Sequence, residues 1–112
     1  MEISETGQME VGPIECIGVG QGRCVLVEEK QIAVFRLRDG RFFALDNVCP
    51  HRAGPLSEGI VGIDHASQLE AVVCPFHSYK FALGDGRGLD TELHVRSYPV
   101  EVRNGRVFLR VR

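Results

Sequence analysis

This chain has no surplus of basic charge. Its 13 Lys and Arg stand against 15 Asp and Glu, a formal net charge of −2, so no basic surface argues for nucleic acid. No apolar run approaches the roughly 20 residues a membrane helix needs. The start, Met1-Glu2-Ile3-Ser4-Glu5, has neither the basic nor the apolar segment of a secretory leader. A cytoplasmic protein without membrane contact is the expectation. No window sustains helical periodicity, and no internal repeat, low-complexity tract or linker divides the chain. Four cysteines in a cytosolic setting read as metal or thiol chemistry rather than a disulfide framework. One domain spanning residues 1–112 follows, small enough that a bound metal would aid its stability.

What the chain does contain is a series of short strands punctuated by turns. Arg23-Cys24-Val25-Leu26-Val27 and Gln31-Ile32-Ala33-Val34-Phe35-Arg36-Leu37 flank a polar turn at Glu28-Glu29-Lys30. Asp39-Gly40 then turns the chain into Arg41-Phe42-Phe43-Ala44-Leu45, and Asn104-Gly105 joins Tyr98–Arg103 to Arg106–Val111. In that last hairpin Val100, Val102, Val107, Leu109 and Val111 alternate with polar residues, which predicts one buried face. The fold class is all-β, with hairpins before and after the central segment. The first eight or so residues are expected to fray.

The central segment carries the chemistry. Cys49-Pro50-His51 is followed, after 22 residues, by Cys74-Pro75-Phe76-His77. Each half offers one thiolate and one imidazole in a loop-forming context of proline and glycine. Two sulfur and two nitrogen donors suit a [2Fe–2S] cluster, one per chain, with Cys49 and Cys74 on one iron and His51 and His77 on the other. A zinc-bound, non-redox interaction domain uses the same donor types. Zinc fingers, however, commonly pair Cys with Cys and His with His, whereas each half here mixes the two. The flanks Ala53-Gly54-Pro55-Leu56 and Tyr79-Lys80-Phe81 would shield a buried redox centre.

The run from Val34 through Cys49-Pro50-His51 to Gly59 resembles a Rieske-type ferredoxin. So do Val73–Phe81, the Gly84-Asp85-Gly86 turn and Tyr98-Pro99-Val100. The resemblance implies an antiparallel β-sandwich with a two-loop cluster-binding subdomain at about 47–84, and electron transfer as its function. More narrowly, Leu56-Ser57-Glu58-Gly59-Ile60-Val61 and the small size are similar to small subunits of assimilatory NAD(P)H nitrite reductases. The ferredoxin components of aromatic-ring dioxygenases share most of the same residues. The implied partner is a large subunit carrying sirohaem and flavin, or else an oxygenase and its reductase. The stretch Gly62-Ile63-Asp64-His65-Ala66-Ser67-Gln68 is longer than usual in the family and reads as an extended turn.

The resemblance also implies a low potential and a docking rim. High-potential relatives carry an extra cysteine in each loop, where this chain has Gly54 and Phe76. They also place a serine and a tyrosine where this chain has Tyr79 and Phe81. His51 and His77 are implied to lie at an exposed tip, flanked by Arg52 and Lys80 as a locally basic rim. Elsewhere the signals are weak. Gly18-Val19-Gly20-Gln21-Gly22 lacks the spacing of a nucleotide loop and reads as a turn. His65 and His94 read as solvated, and Cys16 and Cys24 as small buried hydrophobes. No catalytic triad or carboxylate pair is recognisable, so the chain is not expected to catalyse a reaction alone.

Overall fold

A computed structural model describes residues 3–51, 53–76 and 79–111. Among them ten strands build three antiparallel sheets. The four-stranded sheet holds β2 (Gly22–Val27), β3 (Lys30–Arg36), β4 (Phe42–Asp46) and β8 (Ser97–Tyr98), in the order β2-β3-β4-β8. The second sheet, β1-β10-β9, joins β1 (Gln8–Pro13) to the terminal hairpin of β9 (Val100–Arg103) and β10 (Arg106–Arg110). The third is a meander of β5 (Ile60–Asp64), β6 (Leu69–Val73) and β7 (Lys80–Ala82). The expected all-β sandwich is what forms.

Turn chemistry explains the hairpins. Gly40, at φ +95°, and the pair Asn104 and Gly105, at +51° and +73°, supply the left-handed backbone that tight turns require. Glu28 and Glu29 take the same conformation at +49° and +71°, so two acidic residues stand where Asn-Gly is commoner. β3 explains its unbroken apolar run. Ile32 and Val34 enter one hydrophobic cluster with Met9, Ala44, Tyr98, Val107 and Leu109. Ala33 and Phe35 enter another with Leu45, Leu56, Val72, Phe81 and Leu83. The four-stranded sheet is therefore covered on both faces, and each large side chain buried there contributes about 1.5–3 kcal/mol. Tyr98 pins β8 to β4 by donating its hydroxyl proton to Asp46 at 2.6 Å.

Several expectations change. Residues 3–7 are tied down: Ile3 bridges to Met9, and the Ser4 N–H donates to the Gln8 carbonyl at 2.7 Å. Val102 is 44 % exposed although it faces the same way as buried Val107, because β9 is the edge strand of its sheet. Cys16 is half-buried against the cluster that contains Met9, Ile32 and Val34, but Cys24 is exposed on β2. His65 and His94 are exposed, as expected. The stretch from Gly62 to Gln68 is no extended turn. Its first residues complete β5, which pairs with β6 from Ile60↔Val73 to Asp64↔Leu69, leaving a four-residue turn at 65–68.

Asp64 organises that turn. Its carboxylate accepts from the Ser67 hydroxyl at 2.7 Å, the Ser67 N–H at 3.0 Å and the Lys80 ammonium at 3.0 Å. The Ser67 hydroxyl, then Lys80, hold its pKa down to about 2 from 3.8. A carboxylate with a depressed folded-state pKa stabilises fully above its ordinary value and loses that contribution as pH falls through the folded value. Asp64→Asn is therefore expected to lower stability at neutral pH, with the difference from wild type vanishing toward pH 2. Urea unfolding across that range measures it. An equal deficit at every pH would contradict this account.

Candidate metal centre

Two loops carry the sequence-predicted ligands, and they come from different sheets. The first runs from β4 to the 3-10 turn Leu56–Glu58, and the second links β6 to β7. Within the first, the Cys49 N–H donates to the Gly54 carbonyl at 2.9 Å, and the Ala53 N–H returns a bond to the Cys49 carbonyl at 2.8 Å. Val48 bridges to Pro55 across its neck. Ala53 holds φ at +58°, an uncommon conformation for a residue with a Cβ and one found disproportionately at functional sites. In the second loop the Cys74 N–H donates to the Tyr79 carbonyl at 2.9 Å, closing the turn that contains Pro75 and Phe76.

Both sulfurs point inward and the described imidazole points outward. Cys49 and Cys74 are 1 % and 2 % exposed and belong to the cluster of Leu56, Val72 and Phe81. His51 is exposed. Its ring lies 4.6 Å from the Tyr79 ring, tilted by 53°, so the two loops touch side by side. They touch again at Gly54, where an added Cβ would stand 2.8 Å from Cys74 Sγ and 3.1 Å from the Phe76 ring. His77 and Arg52 lie outside the described residues. No three described His, Cys, Asp or Glu side chains converge into a group that could hold a metal ion.

The donor set fits a [2Fe–2S] cluster. A buried thiol in apolar surroundings is by itself only a small hydrophobe. Here two of them sit on separate loops pressed together through a glycine, with an exposed imidazole two residues beyond the first. That arrangement places sulfur donors away from water and a nitrogen donor toward it. Gly54→Ala tests the close approach. Overpacking of this kind costs about 1–3 kcal/mol, and the atom displaced is Cys74 Sγ. The expected result is a lower iron-to-protein ratio with an unchanged far-UV circular dichroism spectrum.

The basic rim needs correction. Lys80 is ion-paired with Asp64 at 3.0 Å, and that carboxylate raises its pKa. It braces β7 against the β5–β6 turn and is not an unpaired docking cation. Exposed instead around the loops are Val48 at 44 %, Phe76 at 64 %, Pro75 and Ala53. Sequence reasoning missed this apolar collar, although Pro75-Phe76 beside a ligand was its visible sign.

Comparison with known proteins agrees with the donor chemistry. Residues 8–110 match the Rieske-like [2Fe-2S] domain family. A solved structure of a candidate NADH-dependent nitrite reductase small subunit from Mycobacterium tuberculosis superposes with a TM-score of 0.84. That protein is 33% identical, and the likeness covers 91% of this chain and 92% of that one. The ferredoxin component of the naphthalene 1,2-dioxygenase/salicylate 5-hydroxylase systems of Ralstonia sp. is 33% identical over 89 residues, covering 78% of this chain and 79% of its own. The NAD(P)H nitrite reductase large subunit of Klebsiella oxytoca is 41% identical over 83 residues, which cover 72% of this chain but 8% of that protein. With residues 8–110 matched by the family model, the chain belongs to the Rieske-like [2Fe-2S] domain family and is an electron-transfer domain whose cofactor is a [2Fe–2S] cluster.

Proposed function

We propose that this protein is the small, electron-carrying subunit of an NAD(P)H-dependent nitrite reductase. One observation carries the reading: the likeness to the M. tuberculosis protein covers 91% of this chain and 92% of that one. In this reading residues 1–112 form one domain that works in the cytoplasm, and residues 47–84 carry the cluster. Cys49 and Cys74 hold one iron, and His51 and His77 hold the other. The cluster supplies the uptake and release of single electrons. The rest is done by the chain itself. Burial of Cys49 and Cys74 keeps water from the sulfur side, and His51 at the surface gives a partner close approach. Phe76, Val48 and Pro75 form an apolar collar that a large flavin- and sirohaem-carrying subunit covers. Family membership sets aside the zinc-bound, non-redox alternative.

A second reading, a ferredoxin that serves an aromatic-ring oxygenase and its reductase, is favoured by the likeness to the Ralstonia ferredoxin component. The two are separated by reconstitution. Added to a nitrite reductase large subunit with NAD(P)H, this chain is expected to raise the nitrite-dependent oxidation of the nucleotide. If it leaves that rate unchanged but reduces a ring-hydroxylating oxygenase, the second reading replaces the first. Phe76→Ala should weaken the productive complex. A central aromatic anchor is worth about 1–2 kcal/mol, so roughly 5- to 30-fold more protein should be needed for half-maximal turnover. Wild-type behaviour of that variant would remove Phe76 from the docking surface.

A further inference from the structure

The two ligand loops are rooted differently. The second is the connection of a hairpin, with Val73 and Lys80 paired in the sheet on either side of it. The first has only the isolated Val48–Pro55 bridge at its neck and no strand pairing that continues into a sheet, because β4 ends at Asp46 and the chain returns to a 3-10 turn. At that junction stands Asn47, 2 % exposed and the only polar residue buried as a whole among the described residues.

Asn47 makes four hydrogen bonds, two toward the sheet and two toward the loop's return. Its N–H donates to the Gln31 carbonyl at 3.0 Å, and its Nδ2 donates to Gln31 Oε1 at 2.9 Å. Its carbonyl accepts from the Leu56 N–H at 2.7 Å, and its Oδ1 accepts from the Ser57 N–H at 2.8 Å. The backbone pair would form with any residue at this position. Only the carboxamide adds the link from Gln31 on β3 to Ser57 beyond the loop. An apolar side chain of similar size would fill the space without specifying where the loop sits, whereas a fully satisfied buried amide fixes one arrangement.

We infer that Asn47 is a positioning residue for the cluster. Its carboxamide ties both ends of the first loop to the central sheet and so sets where Cys49 and His51 stand relative to the second loop. The inference rests on the ligand assignment proposed above. Outer groups that orient metal ligands typically change metal affinity by about 10–100-fold when removed.

The test uses the loaded protein. Asn47→Ala is expected to release iron to a chelator about tenfold faster or more, to shift the EPR g-values of the reduced form, and to raise the global unfolding rate in urea by a clearly smaller factor than the release. Gln31→Ala, at an exposed position, is expected to act in the same direction but by only a few-fold. Wild-type release and g-values in both variants overturn the inference. So does release that accelerates only in step with global unfolding, since that marks a merely structural role. Should Asn47→Ala fail to fold, Gln31→Ala decides alone: faster release with unchanged unfolding supports the inference, and wild-type release overturns it. A wild-type protein without a Rieske-type EPR signal removes the ligand assignment, and this inference with it.

Discussion

Cys74→Ala should yield a colourless protein that holds no iron and gives no EPR signal on reduction, where the wild type is red-brown with about two irons and two sulfides per chain. The expectation follows from where the sulfur sits. Cys74 is 2 % exposed, its N–H closes the second loop on Tyr79, and its Sγ faces the backbone of Gly54 on the first loop. Removing it takes away one of two buried thiolates and the surface that Gly54 packs against. Because a metal site of this type is coupled to the folding of its loops, the variant should also be cleaved more readily by protease within 48–56 and 74–79. Cys49→Ala should behave alike, while Cys24→Ala, on the exposed face of β2, should leave the cluster untouched. Retention of wild-type iron by either loop variant would contradict the ligand assignment.

The midpoint potential should lie near the bottom of the Rieske range, on the order of −150 mV. Two features of the site support this. Gly54 has no side chain, and Phe76 stands 64 % exposed, so the loops cannot be joined by the disulfide implied for high-potential relatives. Phe81 is fully buried beside Cys49 and Cys74 in the same apolar cluster, and its ring carries no hydroxyl to donate. Hydrogen bonds stabilise the more negative, reduced state, so fewer donors mean a lower potential. A hydroxyl that contributes about 1 kcal/mol is worth roughly 40 mV for one electron. Phe81→Tyr should accordingly raise the midpoint by about that amount in a protein-film voltammogram. A wild-type value above roughly +100 mV would show that donors other than these govern the site.

Much of this protein was decided by short-range signals. Asp39-Gly40 and Asn104-Gly105 mark their turns because left-handed backbone is a local requirement. The ligand motifs are legible because each half of the donor set lies within four residues, and the meaning of thiolate beside imidazole needs no tertiary context. What the linear sequence does not contain is who stands opposite whom. β1, with a glycine and a proline among its six residues, is a strand only because β10 pairs with it across about a hundred residues, through a register shift between Glu10 and Gly12. β5 lacks strict alternation because its sheet leaves Ile60 and Ile63 exposed. Lys80 reads as a rim cation until Asp64, folded back by the 65–68 turn, pairs with it. Asn47 reads as an ordinary polar residue before a cysteine until burial brings its carboxamide oxygen to the Ser57 N–H. In each case side-chain identity is local, but burial and pairing arise from segments brought together by the fold, and it is these that determine which donors are shielded and which loops are held.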